Sequence, residues 1–159
     1  MLRRAIVFGA VPGVVEGQTF SNRRELFAAH LHRSLLAGIS GTAKDGCDAV
    51  VLSGAYEDDA DQGDTIIYTG EGGRDPQTNK QIANQMLVKG NLALDVSRQK
   101  GLPVRVIRGA ALNSKFAPKE GYRYDGLYRV ERAWKERGKS GYDVWRFELR
   151  KVEDPSHFE

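Results

Sequence analysis

Two tyrosines, a cluster of carboxylates and a run of glycines lie close together in this sequence, and those residue types suit the capture of a flat ring. Tyr56 follows Gly54-Ala55, and Tyr68 ends a β-branched run just before Thr69-Gly70. Small residues beside aromatic ones can leave a slot one ring thick. A base stacked there gains on the order of 1–3 kcal/mol from each tyrosine face. A carboxylate from the acidic run 57–64 would select the base. An ionised Asp accepts from the amino group at C4 of cytosine and repels the oxygen that thymine carries there. Backbone N–H groups of Gly70-Glu71-Gly72-Gly73 could hold a base oxygen or a phosphate. Each feature also has an ordinary structural reading. Paired tyrosines beside strands are most often half-buried packing, acidic loops are solvated or bind calcium, and a glycine-rich stretch is often only a turn.

Other chemistry finds less support. His30 and His32 are two apart in a predicted helix and so point to different faces, a spacing that suits no helical metal pair. His157 lies near the end of the sequence, and Cys47 has no general base beside it in sequence. A single cysteine rules out a disulfide framework or a cysteine zinc site within the chain. No phosphate-binding loop of Walker type, no zinc-deaminase signature and no nuclease metal motif is present. The expected protein is therefore not an enzyme on its own, with no catalytic residue, metal or cofactor.

The elements that must position these residues are legible from periodicity. The 159 residues, 40% hydrophobic and 28% charged, fit one globular domain, and 18 glycines favour a strand- and loop-rich fold. A net charge of +3 is compatible with a phosphate partner. The region through Gly17 reads as strand and turn. Ser21-Asn22 read as a cap for a helix over 23–33, with Leu26, Phe27, His30 and Leu31 on one face, and 37–41 as a glycine-hinged connection. Strands are predicted at 49–52, 65–68 and 103–108, and helices at 79–89 and 91–99. Runs 127–134 and 142–149 form a hairpin that sends Trp145, Phe147 and Leu149 into the core. The fold class is α+β: a twisted, partly closed β-barrel with two or three helices packed outside. Residues 1–152 form the domain, and 153–159 an exposed tail or the start of a linker. No apolar segment is long enough to span a membrane.

Taken together, the motifs are more specific than any one of them. Tyr56-Glu57-Asp58-Asp59, Asp61-Gln62-Gly63-Asp64 and the segment 68–75 (Tyr-Thr-Gly-Glu-Gly-Gly-Arg-Asp) closely resemble the SRA (SET- and RING-associated, YDG) domain family, in the bacterial form found in modification-dependent restriction endonucleases. The resemblance continues through Asn113-Ser114-Lys115-Phe116-Ala117-Pro118 and the Tyr124-Asp125-Gly126 triplet. It also takes in Gly9-Ala10-Val11-Pro12-Gly13 and Trp145-Arg146.

The resemblance implies a PUA-like barrel that flips 5-methylcytosine out of duplex DNA. It implies Tyr56 and Tyr68 as stacking rings, Asp59 as acceptor for the cytosine amino group, Thr69 at the pocket edge, Gly54-Ala55 in the wall and Glu71 near the C5 mark. Leu36 resembles a minor-groove wedge, and Asn79-Lys80-Gln81 a major-groove finger. Arg74, Lys80, Lys115 and Arg123 are candidate phosphate contacts. The triplet is expected to be structural, with Tyr124 packed beneath the pocket. In eukaryotic readers of hemimethylated CpG the finger ends in arginine and position 71 is serine. Gln81 here implies looser sequence dependence, and Glu71 either meets a hydroxymethyl mark or points to solvent. The implied partner is double-stranded DNA with a C5-modified cytosine, in a bacterial cytoplasm, with covalent fusion to a C-terminal nuclease domain. A PUA-like RNA-binding domain is the alternative.

Overall fold

The computed structural model describes residues 7–54, 56 and 59–153. Among these, the elements run in the order β1 (Thr19–Phe20), α1 (Arg23–Ala28), β2 (Ile39–Thr42), β3 (Gly46–Leu52), β4 (Ala60–Asp61), β5 (Thr65–Thr69), α2 (Lys89–Lys100), β6 (Pro103–Gly109), β7 (Tyr122–Arg137) and β8 (Asp143–Lys151). One sheet takes the order β2-β3-β6-β7-β8-β5-β4, with β1 paired to the start of β7. Strands β3 and β6 pair in parallel, Val50 beside Val106, and every residue of both is buried. Parallel strands covered on both faces carry continuous apolar runs, which is why 49–52 is readable as a buried strand.

The sixteen-residue β7 gives the sheet its barrel-like course. Its first half pairs with β6 and its second half with β8, and the register shifts between Val130 and Arg132. A bulge of this kind bends a strand and increases its twist. The two end strands, β2 and β4, are not paired to each other, so the barrel is open along one side.

Helix α2 packs against β2, β3 and β7. It covers the larger core, in which Leu94, Val104, Tyr128, Phe147 and Leu149 are buried and Trp145 packs partly exposed. A second core joins Leu26 and Leu31 to Phe20, Val51, Ile107 and Tyr124.

The structure departs from the sequence reading in five places. Residues 7–18 form turns and loops rather than a strand. Helix α1 is capped by Asn22 as expected but ends at Ala28, and His30 takes a left-handed backbone (φ 64°), so His30 and His32 lie beyond the helix. Of residues 37–41, read as a glycine-hinged connection, the last three belong to strand β2. The helix expected over 79–89 is absent. Asn79 and Lys89 have positive φ, and Ile82 and Met86 are 55% and 66% exposed, so that of the apolar residues spaced there Leu87 alone packs against the core. The following helix is longer than 91–99 and starts at Lys89. Of the expected tail, only Glu153 falls within the described residues.

Candidate nucleic-acid interface

The loop between β3 and β4, the end of β5 and the loop before β2 meet around a pocket of about 260 Å³. Tyr56, Asp59, Tyr68 and Glu71 line it, with Leu36 and Gly38 on the opposite side. Tyr68 is 4% exposed, and burial, reinforced by the Asp59 carboxylate, raises its phenol well above the usual range, so it stays neutral. Its hydroxyl leaves no space at Gly38, where an added Cβ would sit 2.7 Å from the oxygen. Asp59 Oδ1 accepts from the Thr69 N–H at 2.7 Å, which ties the carboxylate to the end of β5. Tyr56 Oη accepts from the Gly72 N–H at 3.0 Å, and the Arg74 guanidinium lies 5.4 Å from the Tyr56 ring centre. Thr69 is itself buried and does not line the pocket.

The glycine turn beneath Glu71 is held by amide side chains. Asn91 accepts from the Glu71 N–H at 2.7 Å and donates to the Glu71 carbonyl at 2.9 Å. Gln85 donates to the Gly70 carbonyl at 2.6 Å. Glu71 Oε1 accepts from the Gly90 N–H at 3.1 Å, in the first turn of α2, whose N-cap Val88 has no capping side chain. Glu71 therefore belongs both to the pocket wall and to the positive end of a helix.

Two loops flank the pocket. Leu36 is 94% exposed at the tip of the first. Half-buried Arg23 and Ser34 and buried His32 fix that loop. Arg23 Nη2 donates to the carbonyls of Ser34 and Ala37 at 2.7 and 2.6 Å, and Ser34 Oγ accepts from the Ala37 N–H at 2.9 Å. His32 Nε2 lies 3.0 Å from the Gly38 carbonyl, and Nδ1 lies 3.0 Å from the Ser34 carbonyl and 3.3 Å from Arg23 Nη2.

The second loop, 74–81, closes on itself through the Arg74–Gln81 bridge and the Asp75 side chain, which accepts from the Gln77 N–H at 2.9 Å. Asn79 and Lys80 are exposed at its tip, Asn79 accepting from Arg74 Nη1. Gln81 corrects the expectation of a projecting fingertip. It is 6% exposed, and its amide donates to the carbonyls of Gly72 and Ala83 at 2.8 and 2.9 Å. If it swung out, the Ala83 carbonyl would lose this donor, while the Gly72 carbonyl would keep Gln85 at 3.3 Å.

The family model for the SAD/SRA domain matches residues 7–155. The chain belongs to the SAD/SRA domain family. Its relatives include the E3 ubiquitin-protein ligase UHRF1 of Rattus norvegicus, 42% identical over 91% of this chain and 21% of the relative. This SAD/SRA chain thus spans about a fifth of the length of that ligase. Among solved structures, the modification-dependent TagI restriction endonuclease is 53% identical with a TM-score of 0.89, covering 92% of this chain and 53% of that one. The SRA domain of SUVH5 bound to fully hydroxymethylated CG DNA is 40% identical with a TM-score of 0.80, over 94% of this chain and 96% of that one.

Against this SAD/SRA frame, the pocket brings together Tyr56, Asp59, Tyr68, Glu71, Arg74 and Leu36. Ala55 lies outside the described residues. Gly54 packs on the 111–112 loop instead of lining the pocket, with its virtual Cβ 2.8 Å from the Ala111 carbonyl. Lys80 and Lys115 are exposed, whereas Arg123 pairs with Asp125 at 2.6 Å and also bonds the Phe116 carbonyl. Tyr124 packs with Val51, a pocket residue, in the second core. Sequence reasoning missed Arg23, Gln85 and Asn91. An arginine in a predicted helix and amides in a polar run carry no sign of which carbonyl they will meet.

Proposed function

We propose that this domain binds duplex DNA containing a C5-methylated or C5-hydroxymethylated cytosine, with the modified base flipped into the pocket between Tyr56 and Tyr68. The convergence of two tyrosines and Asp59 on one pocket beside the exposed Leu36, in a SAD/SRA chain, carries this reading. Flipping costs a few kcal/mol of lost pairing and stacking. Two aromatic stacks and a carboxylate accepting from the C4 amino group offset it. Leu36 fills the gap left in the duplex, with the tip Asn79-Lys80 entering from the other groove. Lys80 and Lys115 serve as phosphate contacts, while Arg123, already paired, contributes little. Glu71, held at one oxygen by Gly90, presents the pocket with an acceptor suited to a hydroxymethyl group.

The likeness to a modification-dependent restriction endonuclease supports a role as the recognition domain of such an enzyme, with cleavage supplied by a C-terminal nuclease domain. The test is competition binding at fixed salt among duplexes differing at one cytosine: unmodified, methylated on one strand, methylated on both, and hydroxymethylated. Preference for marked duplexes, reduced at least about tenfold (1.4 kcal/mol) by Asp59→Ala, is expected. Equal binding to all four, or stronger competition by RNA, overturns the reading.

A further inference from the structure

Two sequence motifs, 113–118 and Tyr124-Asp125-Gly126, contribute nothing to the pocket lining. Both converge instead on one buried arginine. Arg108 of β6 donates to both oxygens of Asp61 at 2.8 Å, to Asp125 Oδ2 at 2.9 Å and to the Gly63 carbonyl at 2.9 Å. Ser114 Oγ adds a bond to Asp61 at 2.8 Å, and Tyr128 Oη a bond to the Gly63 carbonyl at 2.8 Å. The Arg108 and Asp61 side chains are 4% and 3% exposed.

Asp61, the second residue of β4, and Gly63, in the β4–β5 turn, follow directly on the loop that carries Tyr56 and Asp59. The same loop is braced at its start, where Gly54 packs on the Ala111 carbonyl, and at its return, where Gly63 meets the Phe116 ring. Both ends of the base loop therefore lean on the β6–β7 connection. A bidentate guanidinium–carboxylate pair sets orientation as well as distance. A stacking slot tolerates little error in either.

We propose that Ser114 and Asp125 are positioning residues for the base pocket, acting through Arg108 and Asp61 to hold the loop that presents Tyr56 and Asp59. The proposal rests on the base-flipping reading above. No member of the relay touches the base. Each holds the next, and its loss loosens the loop while leaving the phosphate contacts in place.

The experiment compares Asp125→Asn, Asp125→Glu and Ser114→Ala with the parent. Asp125→Asn keeps the Asp61–Arg108 pair, and Ser114→Ala removes only the hydroxyl's bonds to Asp61 and to the Phe116 N–H, so one variant serves if the other folds poorly. Amide hydrogen exchange of the free proteins comes first. Faster exchange in residues 59–64, without change in α2, is expected. Binding to methylated and unmodified duplexes at one salt concentration follows. The ratio of the two affinities should fall by about threefold to tenfold in Asp125→Asn and Ser114→Ala, and recover in part in Asp125→Glu. Affinity for the unmodified duplex should not change in Ser114→Ala, which alters no charge, and should rise, if at all, in Asp125→Asn, which frees Arg123. Unaltered exchange in 59–64, or a lowered melting temperature with an unaltered affinity ratio, overturns the proposal. Faster exchange in the variants of a parent that shows no preference for methylated DNA would instead leave the relay standing and defeat the base-flipping reading.

Discussion

Arg105 and Arg108 stand three residues apart on β6, on opposite faces of the strand, and each ties a different loop to the sheet. Arg105 reaches toward the second core. It pairs with Asp48 at 2.7 Å and donates to the carbonyls of Leu31, Val7 and Gly9, fixing the chain just before the Leu36 loop. Arg108 reaches the base loop through Asp61 and Asp125. The difference lies in the number of carboxylates. Arg108 shares two, whereas Arg105 and Arg33 share one, Asp48, whose Oδ1 also accepts from Ser40 Oγ at 2.9 Å. A buried pair is weak evidence for net stability, but removing one partner is costly because the other charge stays buried. The side with one carboxylate is therefore the fragile one.

The sharpest break in that comparison is Asp48→Asn. It strands two guanidiniums at once and should cost about 3–5 kcal/mol in urea unfolding. Asp125→Asn leaves Arg108 its bidentate partner and should cost less, about 1.5–3 kcal/mol, the range for a hydrogen bond to a charged group. Equal losses would mean that the two clusters are not distinguished by their carboxylates.

Acid separates the two sides next. Burial, aided by the nearby Arg23 charge, pushes the His32 ring down from 6.5 to about 4. Unfolded His32 takes up a proton as pH falls below 6.5, while folded His32 does not. Its contribution is therefore complete above that pH and drains away as pH falls to about 4, a loss of about 3 kcal/mol. For Asp61, burial opposes ionisation, but the bonds from Arg108, the Gly63 N–H and Ser114 outweigh it and hold the carboxyl below its usual 3.8. Its stabilisation is present above that value and is lost only as pH falls through the lower, folded one. The Leu36 side should soften first and the base loop later. Urea midpoints measured from pH 7.5 down to 4.5 should fall in the parent and stay nearly flat in His32→Gln. A parent profile as flat as the variant's would refute the buried neutral ring.

Much of this architecture was legible in the sequence. The strands at 49–52, 65–68 and 103–108 and the hairpin 127–149 follow from alternation and β-branched content, and the Tyr56–Tyr68 pair from its small neighbours. What escaped was the destination of polar side chains. Arg105, Arg108 and Asp61 sit in patterns that suit a solvated face, yet they are buried because a partner arrives from a distant part of the chain. Periodicity cannot show such a partner. The same blindness produced the false helix at 79–89. Ile82 and Met86 have helical spacing, but Gln81 and Gln85 are spent on the carbonyls of the glycine turn, and those bonds fix the loop in another form.

The smallest expected effect compares the two flanking loops. The Leu36 tip is held from below by Arg23 and His32, and its side chain makes the loop's only large apolar projection beside Leu35. Leu36→Ala should leave stability within about 0.5 kcal/mol, as for other exposed positions, and weaken binding to marked duplexes. Gln81→Ala should act the other way. It removes one donor from the Ala83 carbonyl and one from Gly72, which keeps Gln85, and should cost stability by about 0.5–1.5 kcal/mol, the range of an ordinary hydrogen bond. Because the amide is turned inward, the variant should rank duplexes that differ only in the base opposite the modified cytosine as the parent does, with at most a uniform small loss. A Gln81→Ala variant that reorders those four duplexes would show that the amide leaves Gly72 and Ala83 on binding and reads the opposite strand after all.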